Sequence, residues 1–191
     1  MYGEDRQWRY FIGFGLVIIL LFVIIFIIVN HGGSNKVPTT QRSLPSYSDD
    51  DNASARETII GPIVAEQDHT ETQITVSNTS STIEVTRGYN GNEVTSRSYT
   101  SSPAAFSEFL HALDKAGYTH GNTDESLAND QGFCPTGNRY IFTLQDGSRT
   151  VQRFWATSCG GTKTYRGNLG LTLWLFENQI PDYDTVINSV Q

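Results

Sequence analysis

An uninterrupted apolar segment, FIGFGLVIILLFVIIFIIV, occupies residues 11–29 and contains no charged side chain. At about 1.5 Å per residue, a helix of this length spans roughly 28 Å, close to the hydrocarbon thickness of a bilayer. A buried helix of a globular domain normally keeps a polar face, which this segment lacks. The segment therefore predicts a transmembrane helix.

A cleaved signal peptide is the main alternative. Its apolar region runs about 7–15 residues and ends at a small-residue cleavage site, whereas this run is longer and is followed by NHGG. We therefore predict an uncleaved signal anchor. Arg6 and Arg9 precede the span and Lys36 and Arg42 follow it, so the positive-inside rule decides little. The short leader, residues 1–10, and the two cysteines favour a cytoplasmic N-terminus and an extracytoplasmic C-terminal domain.

The composition changes sharply after the apolar segment. Residues 30–57 are rich in Ser, Thr, Asn and Asp with few large apolar side chains, which predicts a flexible tether. Residues 58–191 are predicted to form the extracytoplasmic domain. The chain has 13 Lys and Arg against 20 Asp and Glu, a net charge of −7. Because no basic stripe is visible, nucleic-acid binding is not expected.

Alternating apolar and polar residues in TQITV and STIEVTR predict two half-buried strands. Asn90-Gly91 predicts a two-residue turn into a third strand, with Glu84 opposite Arg97. The segment SSPAAFSEFLHALDKAG then predicts an amphipathic helix packed on the sheet, capped at Ser102 and stopped at Gly117.

The last segment, LTLWLFENQIPDYDTVI, fits both a helix and a strand. We favour a helix that covers the sheet and ends before Pro181, with Trp174 and Phe176 mainly in the core. Tyr183 and the residues after it predict either a last short helix or an exposed strip for a partner.

Both cysteines bracket the stretch CPTGNRYIFTLQDGSRTVQRFWATSC. The Asp-Gly pair at residues 146–147 predicts a two-residue hairpin, and its register places Cys134 directly opposite Cys159. The same register puts Phe142 and Trp155 on one face. We therefore predict a disulfide that clamps the hairpin.

Other uses of the cysteines are less well supported. Two cysteines without a nearby histidine cannot complete a four-ligand zinc site, and a redox pair is usually Cys-x-x-Cys. No motif links a histidine base to Cys159. Elsewhere, Asp124, Glu125 and Asp130 lie in an acidic loop without EF-hand spacing, so a solvated loop is favoured over a calcium site. No catalytic residue, metal or cofactor is expected.

The order of elements over residues 74–159 resembles that of the Streptomyces-type subtilisin inhibitors. Both have strands, a helix (here SPAAFSEFLHAL), a Cys-Pro before a Tyr-containing strand, an Asp-Gly hairpin, an Arg-aromatic return strand and a closing Cys. In that family an extended loop after Cys-Pro is bound by a serine protease like a substrate. The resemblance implies that Pro135 leads into Thr136 as the specificity residue, with Gly137 after the scissile bond. The family's second disulfide has no counterpart here.

These patterns predict an α+β fold: an antiparallel sheet of about five strands with helices packed on one face, preceded by a single transmembrane helix. The expected function is non-enzymatic binding of another protein or a cell-envelope component, in addition to the bilayer contact of residues 11–29. A membrane-tethered serine-protease inhibitor and a structural membrane protein are the alternatives.

Overall fold

A computed structural model of the chain describes residues 42–190. The predicted leader, the transmembrane segment and the first part of the tether lie outside the described residues. Among the helices within residues 42–190, none combines the length and the apolar character that a membrane crossing needs.

The described part of the chain contains a six-stranded antiparallel sheet with the order β4-β3-β2-β1-β5-β6. Its strands are β1 (Ala53–Ile60), β2 (Thr70–Ser77), β3 (Ser80–Arg87), β4 (Asn92–Thr100), β5 (Arg139–Asp146) and β6 (Arg149–Thr157). The first four strands form a meander, and β5 returns to pair with the free edge of β1. The α+β class and the antiparallel sheet are confirmed, with six strands instead of about five.

Within residues 42–190, three α-helices accompany the sheet: α1 (Pro103–Ala116), α2 (Leu169–Glu177) and α3 (Tyr183–Asn188). Helix α1 has the limits that the sequence predicts. The Ser102 side chain accepts the Ala105 N–H, and Gly117 ends the helix with a left-handed φ of 78°. Helix α2 ends before Pro181, as predicted. Three short 3-10 helices span Leu44–Asp49, Glu66–Asp68 and Glu125–Leu127.

The main hydrophobic core lies between one face of the sheet and the helices. The apolar stripe of α1 is buried against that face, which confirms its predicted amphipathic character. One cross-strand row runs through the centre of the sheet. Its members, in order from β3 to β6, are Ile83, Ile74, Glu57, Phe142 and Phe154.

The predicted tether is wrong for its described part. Leu44–Asp49 forms a 3-10 helix that packs on α1, and β1, in the middle of the sheet, begins before residue 58. The sequence does not indicate this strand, because its core-facing side chains are Ala53, Ala55 and Glu57 instead of large apolar groups. Two small residues suffice there because the helices supply bulky aromatic side chains from above.

The register of the β3–β4 hairpin also differs from the prediction. Its loop has four residues, Gly88 to Gly91, and both glycines have positive φ. A second glycine makes this longer loop accessible, whereas the prediction used the Asn-Gly pair alone. A bulge follows in the ladder, and Arg97 pairs with Ile83 instead of Glu84.

The β5–β6 hairpin is shifted as well. Asp146 pairs with Arg149 across the loop residues 147–148, and a bulge follows at Leu144/Gln145. The ladder then pairs Phe142 with Phe154, so Trp155 lies on the opposite face of the sheet, across from Ile141. The predicted common face for Phe142 and Trp155 is therefore wrong, because a bulge reverses the alternation that sequence patterns assume.

Candidate binding surface

A disulfide joins Cys134 to Cys159, with their Cα atoms 5.6 Å apart. The predicted bond is present, but the hairpin register does not explain it. The β5–β6 ladder ends at the Arg139–Thr157 pair. Before it, a turn forms in which the Gly137 N–H donates to the Cys134 carbonyl at 3.2 Å. This turn brings Cys134 beside Cys159 beyond the end of the ladder.

The loop predicted to contact a protease lies in that turn. Pro135 and Thr136 are exposed and Gly137 is partly buried. A Cβ on residue 137 would lie 2.4 Å from the Ser158 hydroxyl oxygen and 2.7 Å from the Cys134 sulfur, so the close packing here requires glycine. Thr136 is thus held in a tight turn, whereas the family resemblance implies an extended segment.

Several loops meet at this end of the sheet. The antiparallel pairing places the end of β1, the start of β2, the β3–β4 loop and the start of β5 together. Ile63 N–H donates to the Pro135 carbonyl at 2.8 Å. Tyr89 hydroxyl donates to the Val64 carbonyl at 2.8 Å and accepts the Val64 N–H at 3.1 Å. We call Ile63, Val64, Tyr89 and Pro135 the apolar end surface.

The apolar side chains of this surface are strongly exposed. Ile63 is 64 % exposed, Tyr89 53 % and Val64 40 %. Single exposed apolar residues are common, but a contiguous group on loops is typical of an interaction site. Sequence reasoning missed the group because its members are far apart in the chain. The run GPIV at residues 61–64 was the available signal, since it follows a strand directly.

Contacts among the residues next to the apolar end surface hold its loops in place. The buried His69 ring stacks on the Tyr89 ring with centroids 4.2 Å apart, and the Gly88 N–H donates to the His69 carbonyl at 2.9 Å. Asn90 donates from its side chain to the Glu66 carboxylate at 3.0 Å. These contacts connect the segment between β1 and β2 to the β3–β4 loop, so the exposed groups lie on a preformed frame.

Exposed carboxylates lie close in sequence to the residues of the apolar end surface. Glu66 and Asp68 are exposed in the segment between β1 and β2, and Glu93 is exposed just after the β3–β4 loop. Exposed apolar groups with carboxylates in neighbouring positions suit a partner that presents an apolar patch and cationic groups.

The acidic loop before β5 has a structural role. Asp130 is buried, and its carboxylate binds Arg139 at 3.0 Å and also Arg153. The expected solvated loop is therefore wrong at this residue, because two guanidinium groups from adjacent strands compensate the buried charge. Asp124 accepts hydrogen bonds from Ser126, which lowers the pKa of its carboxyl.

Glu57, in the middle of the core, is a titratable group that the sequence analysis does not single out. Its side chain is fully buried, and neither carboxyl oxygen has a hydrogen-bond partner among residues 42–190. Burial raises the pKa of this carboxyl well above its ordinary value, and Glu177 raises it further. Once β1 is known, the alternation Ala53, Ala55, Glu57 places the carboxyl in the core. It is too enclosed to meet a substrate.

No protein-family model matches the chain, and no curated protein matches it. The fold and surfaces define a small, disulfide-bonded α+β domain.

Proposed function

We propose that this protein is a single-pass membrane protein whose extracytoplasmic domain binds another protein or a cell-envelope component through the apolar end surface. The observation that carries the proposal is the pair of hydrogen bonds between the Tyr89 hydroxyl and the Val64 backbone. They hold exposed apolar side chains in place instead of letting them fold inward.

The energetics favour a partner for this surface. Covering an exposed Ile, Val or Tyr side chain contributes about 1.5–3 kcal/mol when burial is complete. The disulfide, the His69–Tyr89 stack and the backbone bonds order the loops before any partner arrives. A preformed surface loses little conformational entropy on association, which favours affinity.

Two features support the proposed location. The uncharged residues 11–29 have the length of a membrane-spanning helix. A structural disulfide between Cys134 and Cys159 is favoured in oxidising compartments outside the cytoplasm. Together they support a cytoplasmic N-terminus and an extracytoplasmic domain.

Site-specific photo-cross-linking on intact cells tests the binding surface. A photoreactive residue at position 63 or 135 of the full-length chain should give the same cross-linked product. Val64→Asp, in the same surface, should abolish that product. The matched control carries the photoreactive residue at Val151, which is 38 % exposed on β6 and belongs to a different surface. Equal yields of the same product at position 151, or no effect of Val64→Asp, would contradict the proposal.

A membrane-tethered serine-protease inhibitor is the second candidate, favoured by exposed Pro135 and Thr136 beside the disulfide. Titration of the full-length chain against subtilisin-like and trypsin-like proteases tests it. Stoichiometric inhibition that disappears in Thr136→Pro, or on reduction, would promote this candidate. Plain cleavage of the domain without inhibition would remove it.

A further inference from the structure

A cavity of about 380 Å³ opens between β2, β3 and the C-terminal helix α3. Its lining combines one cation, Arg87, with the hydroxyl-bearing side chains of Thr70 and Thr72 and the apolar side chains of Val85 and Ile187. This volume is within the range of small-molecule sites in proteins. The cavity is separate from the side chains that form the apolar end surface.

Arg87 has hydrogen-bonding capacity that residues 42–190 do not use. Its Nη2 donates to the Val190 carbonyl, which holds the guanidinium in place. Its Nε is buried and has no hydrogen-bond partner among residues 42–190. A buried N–H of a charged group that lacks an acceptor is costly, so an acceptor from outside the described residues is favoured.

The charged residues that line the cavity indicate which kind of acceptor the Arg87 guanidinium would bind. Within the described part of the chain, no ion pair joins Arg87 to a carboxylate. Asp68 also lines the cavity, and its negative charge disfavours a multiply charged phosphate. A guanidinium binds the two oxygens of a carboxylate through parallel N–H bonds, and Arg87 has N–H donors beyond the one that the Val190 carbonyl accepts.

The apolar side of the cavity defines the rest of the ligand. Val85 is buried and Ile187 is partly buried, and they line the cavity together with Val190. A carboxylate bound at Arg87 would therefore place its substituent against aliphatic groups. We propose that this cavity binds a carboxylate that bears a small apolar group, supplied either by a free acid or by the C-terminus of a peptide.

Calorimetric titration of the full-length chain in detergent tests this site. The first probe is N-acetyl-valine, with N-acetyl-valinamide as the control that lacks the carboxylate. The second probe is a short peptide ending in valine, with its amidated form as control. We expect saturable binding of at least one acid and none of its amide. Preference for N-acetyl-valine identifies a free acid as the source, and preference for the peptide identifies a C-terminus.

Two variants assign the binding to this cavity. Arg87→Met should weaken binding by roughly tenfold or more, since it removes the charge-assisted bonds. Ile187→Trp should block the cavity without altering the guanidinium, so it tests the site even if Arg87→Met fails to fold. The control is Arg97→Met, because Arg97 is an exposed residue 3.9 Å from Asp182 and does not line this cavity. Absence of saturable binding, equal binding of acid and amide, or unchanged affinity in Ile187→Trp would overturn the proposal.

Discussion

Glu57 lies directly across the β1–β5 pair from Phe142, and both side chains are fully buried beneath the helices. Ile74 occupies the paired position on the other neighbouring strand. The carboxyl thus has apolar groups at the paired positions on both sides, and it has no hydrogen-bond partner in the described part of the chain. An ionised carboxylate is strongly disfavoured in such a site. The folded protein therefore keeps the Glu57 carboxyl protonated at pH values well above the ordinary pKa of a glutamate.

This burial predicts a dependence of stability on pH. The folded state keeps the Glu57 proton, whereas the unfolded chain releases it near the ordinary pKa of 4.5. The free energy of unfolding should therefore fall as pH rises above that value, by up to about 1.4 kcal/mol per pH unit, until the folded-state carboxyl also ionises. Glu57→Gln should remove this contribution and be more stable than wild type in weakly alkaline buffer. Urea denaturation at a series of pH values, from acidic to alkaline, measures the free energy of unfolding of both proteins.

The matched control for that measurement is Glu108→Gln. Glu108 lies on the exposed side of α1, so its removal should leave the pH dependence unchanged. If Glu57→Gln lost stability with rising pH as steeply as wild type, ionisation of the buried carboxyl would not be the cause.

The disulfide should contribute substantially to stability. Cys134 and Cys159 close a loop with a sequence separation of 25, for which about 3 kcal/mol is expected. Replacing both with serine should lower the free energy of unfolding by about that amount. It should also disorder the turn that contacts Ile63. Equilibrium denaturation and thiol titration check this, and two reactive thiols in native protein from an oxidising compartment would contradict it.

Local signals explain why α1 could be predicted from sequence. Its cap at Ser102, its proline and its stop at Gly117 lie within the helix or next to it, so no distant contact is needed to place them. The disulfide was predicted correctly for a different reason: the two cysteines flank one hairpin, and proximity survives an error in register.

Tertiary context explains what the sequence did not predict. Strand β1 contributes Ala53 and Ala55 to the core, and such small residues produce no strong hydrophobic pattern. In α2, Phe176 is fully buried while Trp174 is 56 % exposed, so the expected core position of Trp174 is wrong. The two residues point in different directions on the helix, and only packing decides which one faces the sheet. The apolar end surface likewise depends on loops brought together by strand pairing.

Asp130 should be critical for the half of the sheet that contains β5 and β6. Its buried carboxylate binds Arg139 and Arg153, so Asp130→Asn leaves two guanidinium groups without their counter-charge. We expect a loss of about 2–4 kcal/mol in the free energy of unfolding. The control is Asp146→Asn, because Asp146 pairs with an Arg149 side chain that is 70 % exposed. That change should cost less than about 1 kcal/mol. Equal losses of unfolding free energy for the two variants in urea denaturation would contradict the prediction that the buried ion pairs contribute more to stability.

Alanine substitutions at two glycines should change the stability of the domain in opposite directions. A Cβ on Gly121 would lie 2.3 Å from the Phe154 ring, which is almost fully buried in the central row of the core. Gly121→Ala should therefore displace that ring and destabilise the domain by about 1–3 kcal/mol. A Cβ on Gly170, in α2, would meet only the Asn168 side-chain oxygen, 4.0 Å away. Gly170→Ala should raise stability by a few tenths to about 1 kcal/mol, because alanine favours a helix. Thermal denaturation should shift in opposite directions for the two variants, and a stable Gly121→Ala protein would show that Phe154 can repack.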